Sequence, residues 1–157
     1  CVLTQYTNIK LTSQSILNGF NSTQWQARLE VISDEPLVVI DGAHNENAAK
    51  SLVRTMNDFL PRGKVNIIFG VMQRKNYISM AKELKNIAKG IYTVSIDDEK
   101  SMDAVELAEE LNEENIKAVN IGDLMTTYTA LKEDEDTPIL ICGSLYLAGM
   151  AKKLLSH

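Results

Sequence analysis

The stretch Leu37-Val38-Val39-Ile40-Asp41-Gly42-Ala43-His44-Asn45 joins four consecutive apolar residues to a polar loop that contains a glycine and an alanine. Four apolar residues bounded by such a loop predict a strand, Leu37 to Asp41. Beyond the loop, Leu52, Val53, Met56, Phe59 and Leu60 recur at helical spacing and predict a helix over 46–60, ended by Pro61 and Gly63. A strand that turns through a small-residue loop into an amphipathic helix is the building unit of an α/β sheet.

The flanking sequence repeats the unit. Upstream, Arg28 to Ile32 reads as a second strand, joined to the first by a tight Ser33-Asp34-Glu35-Pro36 turn and hence antiparallel to it. Downstream, Val65 to Val71 reads as a buried strand. Tyr77, Met80, Ala81, Leu84, Ile87 and Ala88 then mark a helix that Gly90 stops. Ile91 to Ile96 is a strand, and Ala104, Val105, Ala108 and Leu111 are a helix face. Lys117 to Ile121 is a short strand, followed by a helix capped by Asp123 that carries Leu124, Tyr128 and Leu131. Glu133 to Asp136 reads as a solvated acidic turn. Ile139 to Cys142 is the last strand, and Leu147, Ala148, Ala151, Leu154 and Leu155 the face of the final helix. The expected fold is α/β: a three-layer, Rossmann-like domain with a mostly parallel sheet of about six strands. One antiparallel strand lies at or near an edge, and helices cover both faces. Ligands in such sheets bind beyond the carboxyl ends of the strands, which directs attention to the loops after Ile40, Val71, Ile96, Ile121 and Cys142. Residues 12–20 suggest a short helix. Residues 1–24 are expected to be an interdomain linker and 25–157 the domain itself.

With 157 residues the chain has the length of one compact α/β domain, and 45% hydrophobic residues suffice for a full core. A formal net charge of −5 and the lack of a basic stripe argue against binding nucleic acid. Apolar runs are strand-sized, which argues against a membrane span. Cys1 and Cys142 make no disulfide framework and match no zinc spacing with His44 and His157, so a reducing, cytoplasmic setting is expected. The chain begins at Cys1 rather than at a methionine, which suggests a domain cropped from a longer protein.

Three loops carry candidate chemistry. In the first, Gly42 and Ala43 allow a ligand close to the backbone, and the N–H groups of the coming helix favour an anion. Asp41 is an acceptor suited to ribose hydroxyls or an ammonium, and His44 can donate to a carboxylate or phosphate. A helix N-terminus capped by Asp41 or Asn45, with His44 facing water, explains the same residues. In the last loop, Cys142-Gly143-Ser144 offers N–H groups and a hydroxyl, a seat for a carboxylate or simply a capping serine. Gln73-Arg74-Lys75-Asn76 gathers two cations that could serve solubility alone. Neither a phosphate-binding loop of the form G-x-x-x-x-G-K-[ST] nor G-x-G-x-x-G occurs, and G-x-S-x-G is also absent. With one internal histidine and no paired carboxylates at a loop, a self-sufficient hydrolase is not expected.

Three segments in order resemble the folylpolyglutamate synthase and dihydrofolate synthase branch of the Mur ligase family. Trp25-Gln26-Ala27-Arg28-Leu29-Glu30 is similar to that family's tryptophan-Pro-Gly-Arg-x-Glu segment, with Gln26 and Ala27 in place of Pro and Gly. Leu37 to Asn45 matches its hydrophobic strand and Asp-Gly-Ala-His-Asn motif without a change. Cys142-Gly143-Ser144-Leu145-Tyr146 resembles its terminal Gly-Ser-x-Tyr segment. Lys75 is retained where the family often has Asp-Lys-Asp, but its acidic neighbours are not.

The resemblance covers residue 25 to the end and implies a C-terminal domain of an ATP-dependent amide ligase. An upstream P-loop ATPase domain of the same chain would hold ATP and Mg2+ and phosphorylate a folate carboxylate; L-glutamate would then attack the acyl phosphate. By the same resemblance Arg28 would pair with ATP phosphates and Asp41 with the ribose. His44, Lys75 and Ser144 would hold glutamate, with Tyr146 at the rim, and no residue here would be an acid, base or nucleophile. The fragment would be inactive alone, and the whole protein is expected to be a monomer. A bifunctional enzyme that also joins glutamate to dihydropteroate, and a free-standing α/β binding module, are the alternatives.

Overall fold

The computed structural model describes residues 28–60, 64–73 and 76–155. The helix expected at 12–20, the linker 1–24 and Lys75 lie outside the described residues. Among the described residues six strands and five helices follow one another as β1 (Glu30–Asp34), β2 (Leu37–Ile40), α1 (Glu46–Phe59), β3 (Val65–Phe69), α2 (Tyr77–Leu84), β4 (Ala88–Thr93), α3 (Ala104–Glu113), β5 (Ala118–Val119), α4 (Leu124–Leu131), β6 (Ile139–Cys142) and α5 (Leu145–Leu155). The strands form one sheet in the order β1-β2-β6-β3-β4-β5. Only β1 runs antiparallel, pairing with β2 at the edge, as the sequence predicts.

Burial divides the molecule into three layers. The central strands β3 and β6 are buried at every position because helices cover them on both sides. On one face α1, α2 and α3 set Leu52, Met56, Met80, Leu84, Leu107 and Leu111 against Val39, Ile67, Phe69 and Leu140. On the other, α4 and α5 set Leu124, Leu131, Leu147 and Ala151 against Ile40, Ile68, Ile139 and Ile141. Strand alternation assigns Ile67 and Ile68 to opposite cores.

Side-chain caps account for the starts of three helices. Asn45 accepts from Ala48 N–H, Asp103 from Val105 and Glu106 N–H, and Asp123 from Thr126 N–H. The exposed Lys50–Glu46, Lys82–Glu114 and Lys89–Asp134 pairs lie in solvent, where such pairs contribute little, roughly 0–1 kcal/mol each.

The structure moves several boundaries. The helix expected to reach Ala88 ends at Leu84, and Gly90 lies inside β4 instead of stopping the helix. Tight turns from Asn86 N–H to Glu83 and from Ile87 N–H to Leu84 close the chain on itself, and Val65 N–H already bonds to the Ile87 carbonyl. Ile87 and Ala88 fit either period, so tertiary pairing decides. Strand β4 accordingly stops at Thr93, short of the predicted Ile96. Strand β5 shrinks to two residues because the Asn120 side chain donates to the Thr93 and Gly122 carbonyls where further ladder bonds would lie. Strand β1 is shifted to Glu30–Asp34, and the turn contracts to Glu35-Pro36.

The carboxyl ends of the three middle strands are laced together. Asp41 N–H donates to the Ile141 carbonyl at 2.9 Å, Gly143 N–H to Ala43 at 3.1 Å and Gly70 N–H to Cys142 at 3.3 Å. Gly143 has φ +118°, and a Cβ there would lie 2.5 Å from the Gly70 carbonyl oxygen and 2.9 Å from the Phe69 ring. Only glycine fits this position. Gly143→Ala is expected to lower stability by at least about 2 kcal/mol, from backbone strain and overpacking together. Urea denaturation of the purified variant measures this, and a midpoint equal to wild type would show that the crossing relaxes without cost.

Candidate functional site

Strand β6 sits between β2 and β3, yet its chain leaves toward the opposite face. Helix α5, after β6, packs on one side of the sheet, while α1 and α2, after β2 and β3, pack on the other. Loops that diverge from neighbouring strands open a crevice, the usual ligand position in such sheets. A cavity of about 430 Å³ lies there, lined by His44 and Asn45 after β2, by Val71, Met72, Asn76, Tyr77 and Met80 around the β3–α2 connection, and by Gly143 to Tyr146 after β6. Three helix N-termini therefore meet at one cavity.

Each of those ends presents donors. The first N–H groups of a helix have no acceptor within it and carry the positive end of its dipole. Helix α2 starts at Asn76 without a side-chain cap. At α5 the Ser144 hydroxyl accepts from Tyr146 N–H at 3.1 Å, which leaves its own hydrogen to donate. Ser144 is only 3% exposed, so an anion reaching it is shielded from water.

The β2–α1 loop is internally tied. Asp41, 6% exposed, accepts Ala43 N–H on one carboxylate oxygen at 2.8 Å and Leu29 N–H on the other at 2.9 Å. It thereby holds Leu29 at φ +45° and anchors the lead into β1 to the loop. Each oxygen keeps one lone pair for a ligand. The exposed His44 ring lies with Nδ1 2.9 Å from the Gly42 carbonyl, so Nδ1 carries the hydrogen. Nε2 is then the nitrogen left for a ligand, and it donates only as an imidazolium.

Cys142, at the end of β6, is fully buried. Its thiol is pushed well above the usual range, by burial first and then by the Asp41 carboxylate, so it is no thiolate nucleophile. A second depression of about 370 Å³ lies on the far side of the same loop, where Arg28, Leu29 and Asp41 face Asn47, Ala48, Ser51, Leu52 and Thr55 of α1. Arg28 is exposed and makes no ion pair among the described residues. Those residues hold no group of three or more His, Cys, Asp or Glu that could bind a metal ion, and no helix among them is long and apolar enough to cross a membrane.

A family model described as "Mur ligase, glutamate ligase domain" matches residues 27–145. The chain belongs to that family. The folylpolyglutamate synthase of Lacticaseibacillus casei is 32% identical to this Mur-ligase domain over 98% of the chain and 35% of its own length. The dihydrofolate synthase/folylpolyglutamate synthase of Bacillus subtilis is 28% identical over 92% of the chain and 34% of its own length. Among solved structures, the bifunctional folylpolyglutamate synthase/dihydrofolate synthase of Yersinia pestis, complexed with AMPPNP and a manganese ion, superposes with a TM-score of 0.80. It covers 98% of this chain and 37% of that one at 22% identity, a likeness of fold. The domain thus spans about a third of the length of the curated relatives it matches.

The residues singled out from the sequence fall into two groups. His44, Ser144 and Tyr146 line the cavity, with Tyr146 exposed at its rim, while Arg28 and Asp41 line the second depression. Lys75 lies outside the described residues. Asn45, rather than Asp41, caps α1, and the exposed His44 lines the cavity.

Sequence reasoning missed Met72, Asn76 and the second role of Tyr77, which it counted only as helix face. Tyr77 lines the cavity while its hydroxyl donates to Glu110 on α3. The pairing spans 33 residues, and no local signal announces it. Burial first, then Glu110, pushes the Tyr77 phenol from 10.0 up to about 12. Since the folded state holds this proton more tightly, the contribution is complete below pH 10 and is lost as the pH rises toward about 12. A spectrophotometric titration should show one tyrosine ionising late, and that step should vanish in Tyr77→Phe. An unchanged titration in the variant would assign the late step elsewhere.

Proposed function

We propose that this chain is the glutamate-accepting domain of an ATP-dependent amide ligase that adds L-glutamate to folate. The observation that carries the reading is the cavity at the divergence of β2, β6 and β3, where three helix N-termini meet His44 and Ser144. An amino acid with two carboxylates suits it: the N–H groups, the His44 ring and the hydroxyl serve the carboxylates, and Val71, Met72 and Met80 accept the methylenes. The family description and the folylpolyglutamate synthase relatives support this choice of amino acid and of acceptor.

In this reading residues 25–157 form the domain, residues 1–24 link it to an upstream P-loop domain, and the whole works as a cytoplasmic monomer. ATP, with Mg2+ held mainly by the upstream domain, converts a folate carboxylate to an acyl phosphate; the glutamate amine attacks the acyl carbon and phosphate leaves as the amide forms. Arg28 pairs with the nucleotide phosphates. Asp41 offers its remaining lone pairs to the ribose, and its hold on Leu29 keeps Arg28 beside it. His44, Lys75 and Ser144 hold the glutamate carboxylates, and Tyr146 closes the rim. These are positioning and charge-neutralising roles, which such chemistry chiefly needs. Similarity to the bifunctional relative favours a second reading, in which the same domain also serves the joining of glutamate to dihydropteroate.

Steady-state kinetics of the full-length protein, with a reduced folate and with dihydropteroate, test both readings; the 157-residue chain alone should turn over no ATP. In the full-length protein His44→Ala is expected to raise the KM for glutamate about tenfold or more, since a hydrogen bond to a charged group contributes about 1.5–3 kcal/mol. The KM for ATP should hardly move. Arg28→Lys should do the reverse, because lysine does not reproduce bidentate phosphate binding. Equal losses toward both substrates, with a lowered melting temperature, would reduce the loop to a helix cap.

A further inference from the structure

The cavity wall formed by Val71, Met72, Asn76, Tyr77 and Met80 is supported from behind by the segment between β4 and the end of α3. Met72 forms an isolated antiparallel bridge with Ser101. Around it Gln73 N–H donates to the Lys100 carbonyl at 2.8 Å and Met102 N–H to Val71 at 3.0 Å. Ser101 is itself tied down, its hydroxyl accepting from Ile96 N–H at 2.8 Å and donating to the Met102 carbonyl at 3.1 Å. Five residues further along the wall, the Tyr77 hydroxyl donates to Glu110. The phenol titrates too high to lose its proton at ordinary pH, so the donor persists.

These contacts bear on the cavity's least fixed side. Helix α1 begins with a side-chain cap at Asn45, and α5 begins at Ser144, whose hydroxyl accepts a first-turn N–H. The start of α2 has no side-chain cap, and Asn76 has φ −121° and ψ 12°. What holds that helix end at the cavity is therefore tertiary: the bridge on one side of residues 74–75 and the Tyr77–Glu110 bond on the other. A hydrogen bond to a carboxylate is among the stronger neutral-donor bonds, and this one is partly buried.

We infer that Tyr77, held by Glu110, is a positioning residue that sets the α2 side of the amino-acid cavity and thereby the affinity for the incoming amino acid. Its reach is confined to that cavity, because Tyr77 does not line the depression that contains Arg28 and Asp41. This role rests on the proposed glutamate site; the brace itself does not, and it can be measured without substrate.

Two readouts on the full-length protein test the inference. In Tyr77→Phe the ring stays and the bond is lost, so amide hydrogen exchange should quicken across residues 76–80 while α1 and α5 keep their protection. The KM for glutamate should rise about threefold to tenfold, the equivalent of a lost hydrogen bond of about 1 kcal/mol, with kcat and the KM for ATP within about twofold. Glu110→Gln keeps an acceptor and should resemble wild type, whereas Glu110→Ala should resemble Tyr77→Phe. Unchanged exchange at residues 76–80 in Tyr77→Phe would overturn the brace. Quickened exchange with equal rises in both KM values would overturn its confinement to the amino-acid side. Should the wild-type protein show no glutamate-dependent turnover, the functional reading fails and the positioning role for the amino acid falls with it, while the exchange data still decide the brace.

Discussion

The Gly143 N–H bond to the Ala43 carbonyl requires two strand-to-helix loops to pass within contact of each other. The close crossing is possible because Gly143 has no Cβ to meet the Gly70 carbonyl or the Phe69 ring and can adopt a positive φ without strain. Once the crossing is made, the carboxyl ends of β2, β6 and β3 share one ladder of main-chain bonds from Asp41 through Ile141 and Cys142 to Gly70. The helices that leave those strands are then fixed in their starting points and directions. The cavity is the space left where α5 leaves toward one face and α1 and α2 toward the other.

The same lacing turns the two ends of one short loop toward different depressions. Asp41 closes the strand and points its carboxylate back toward Leu29, while His44, three residues on, turns its ring out over the cavity. The Asp41 carboxylate is a structural clamp before it is anything else: both oxygens already accept main-chain N–H groups. Any ribose contact adds to that role, and substitution at Asp41 disturbs the loop as well as the ligand. His44 has no such structural burden beyond one bond to Gly42, which makes it the cleaner probe of function.

Electrostatically, the cavity differs from the rest of the molecule. The chain carries a net charge of −5, and α3 is acidic with Glu106, Glu109, Glu110 and Glu113, as is its C-cap Glu114. Within the cavity the fixed partial charges are positive, from helix N-termini that need no titratable group. The Ser144 hydroxyl adds a donor. An anionic ligand would meet there a local field that net charge conceals. Glu110 stays out of that field because its carboxylate is engaged behind the wall by the Tyr77 hydroxyl.

Patterning alone determined the α/β class, the antiparallel edge strand, the three-layer arrangement and the strand-end loops to inspect. Apolar period and small-residue turns are local properties, and they survive in the structure except at Ile87, Ala88 and Gly90. Asp41, His44 and Ser144 could be singled out because they sit in or at the ends of strand-end loops that contain a glycine, whereas Tyr146, the second residue of α5, was reached only through the family resemblance. What folding alone decided was partnership. Ile87 and Ala88 fit a helix or a strand equally until Val65 pairs with Ile87. The division of Arg28 and Asp41 from His44 and Ser144 depends on which face each helix takes. Tyr77 acquires its role from a carboxylate 33 residues away. A sequence records period and turn chemistry directly, because they act between neighbours. Which distant groups meet is set by the packing of whole elements against one sheet, so only the tertiary structure could supply it.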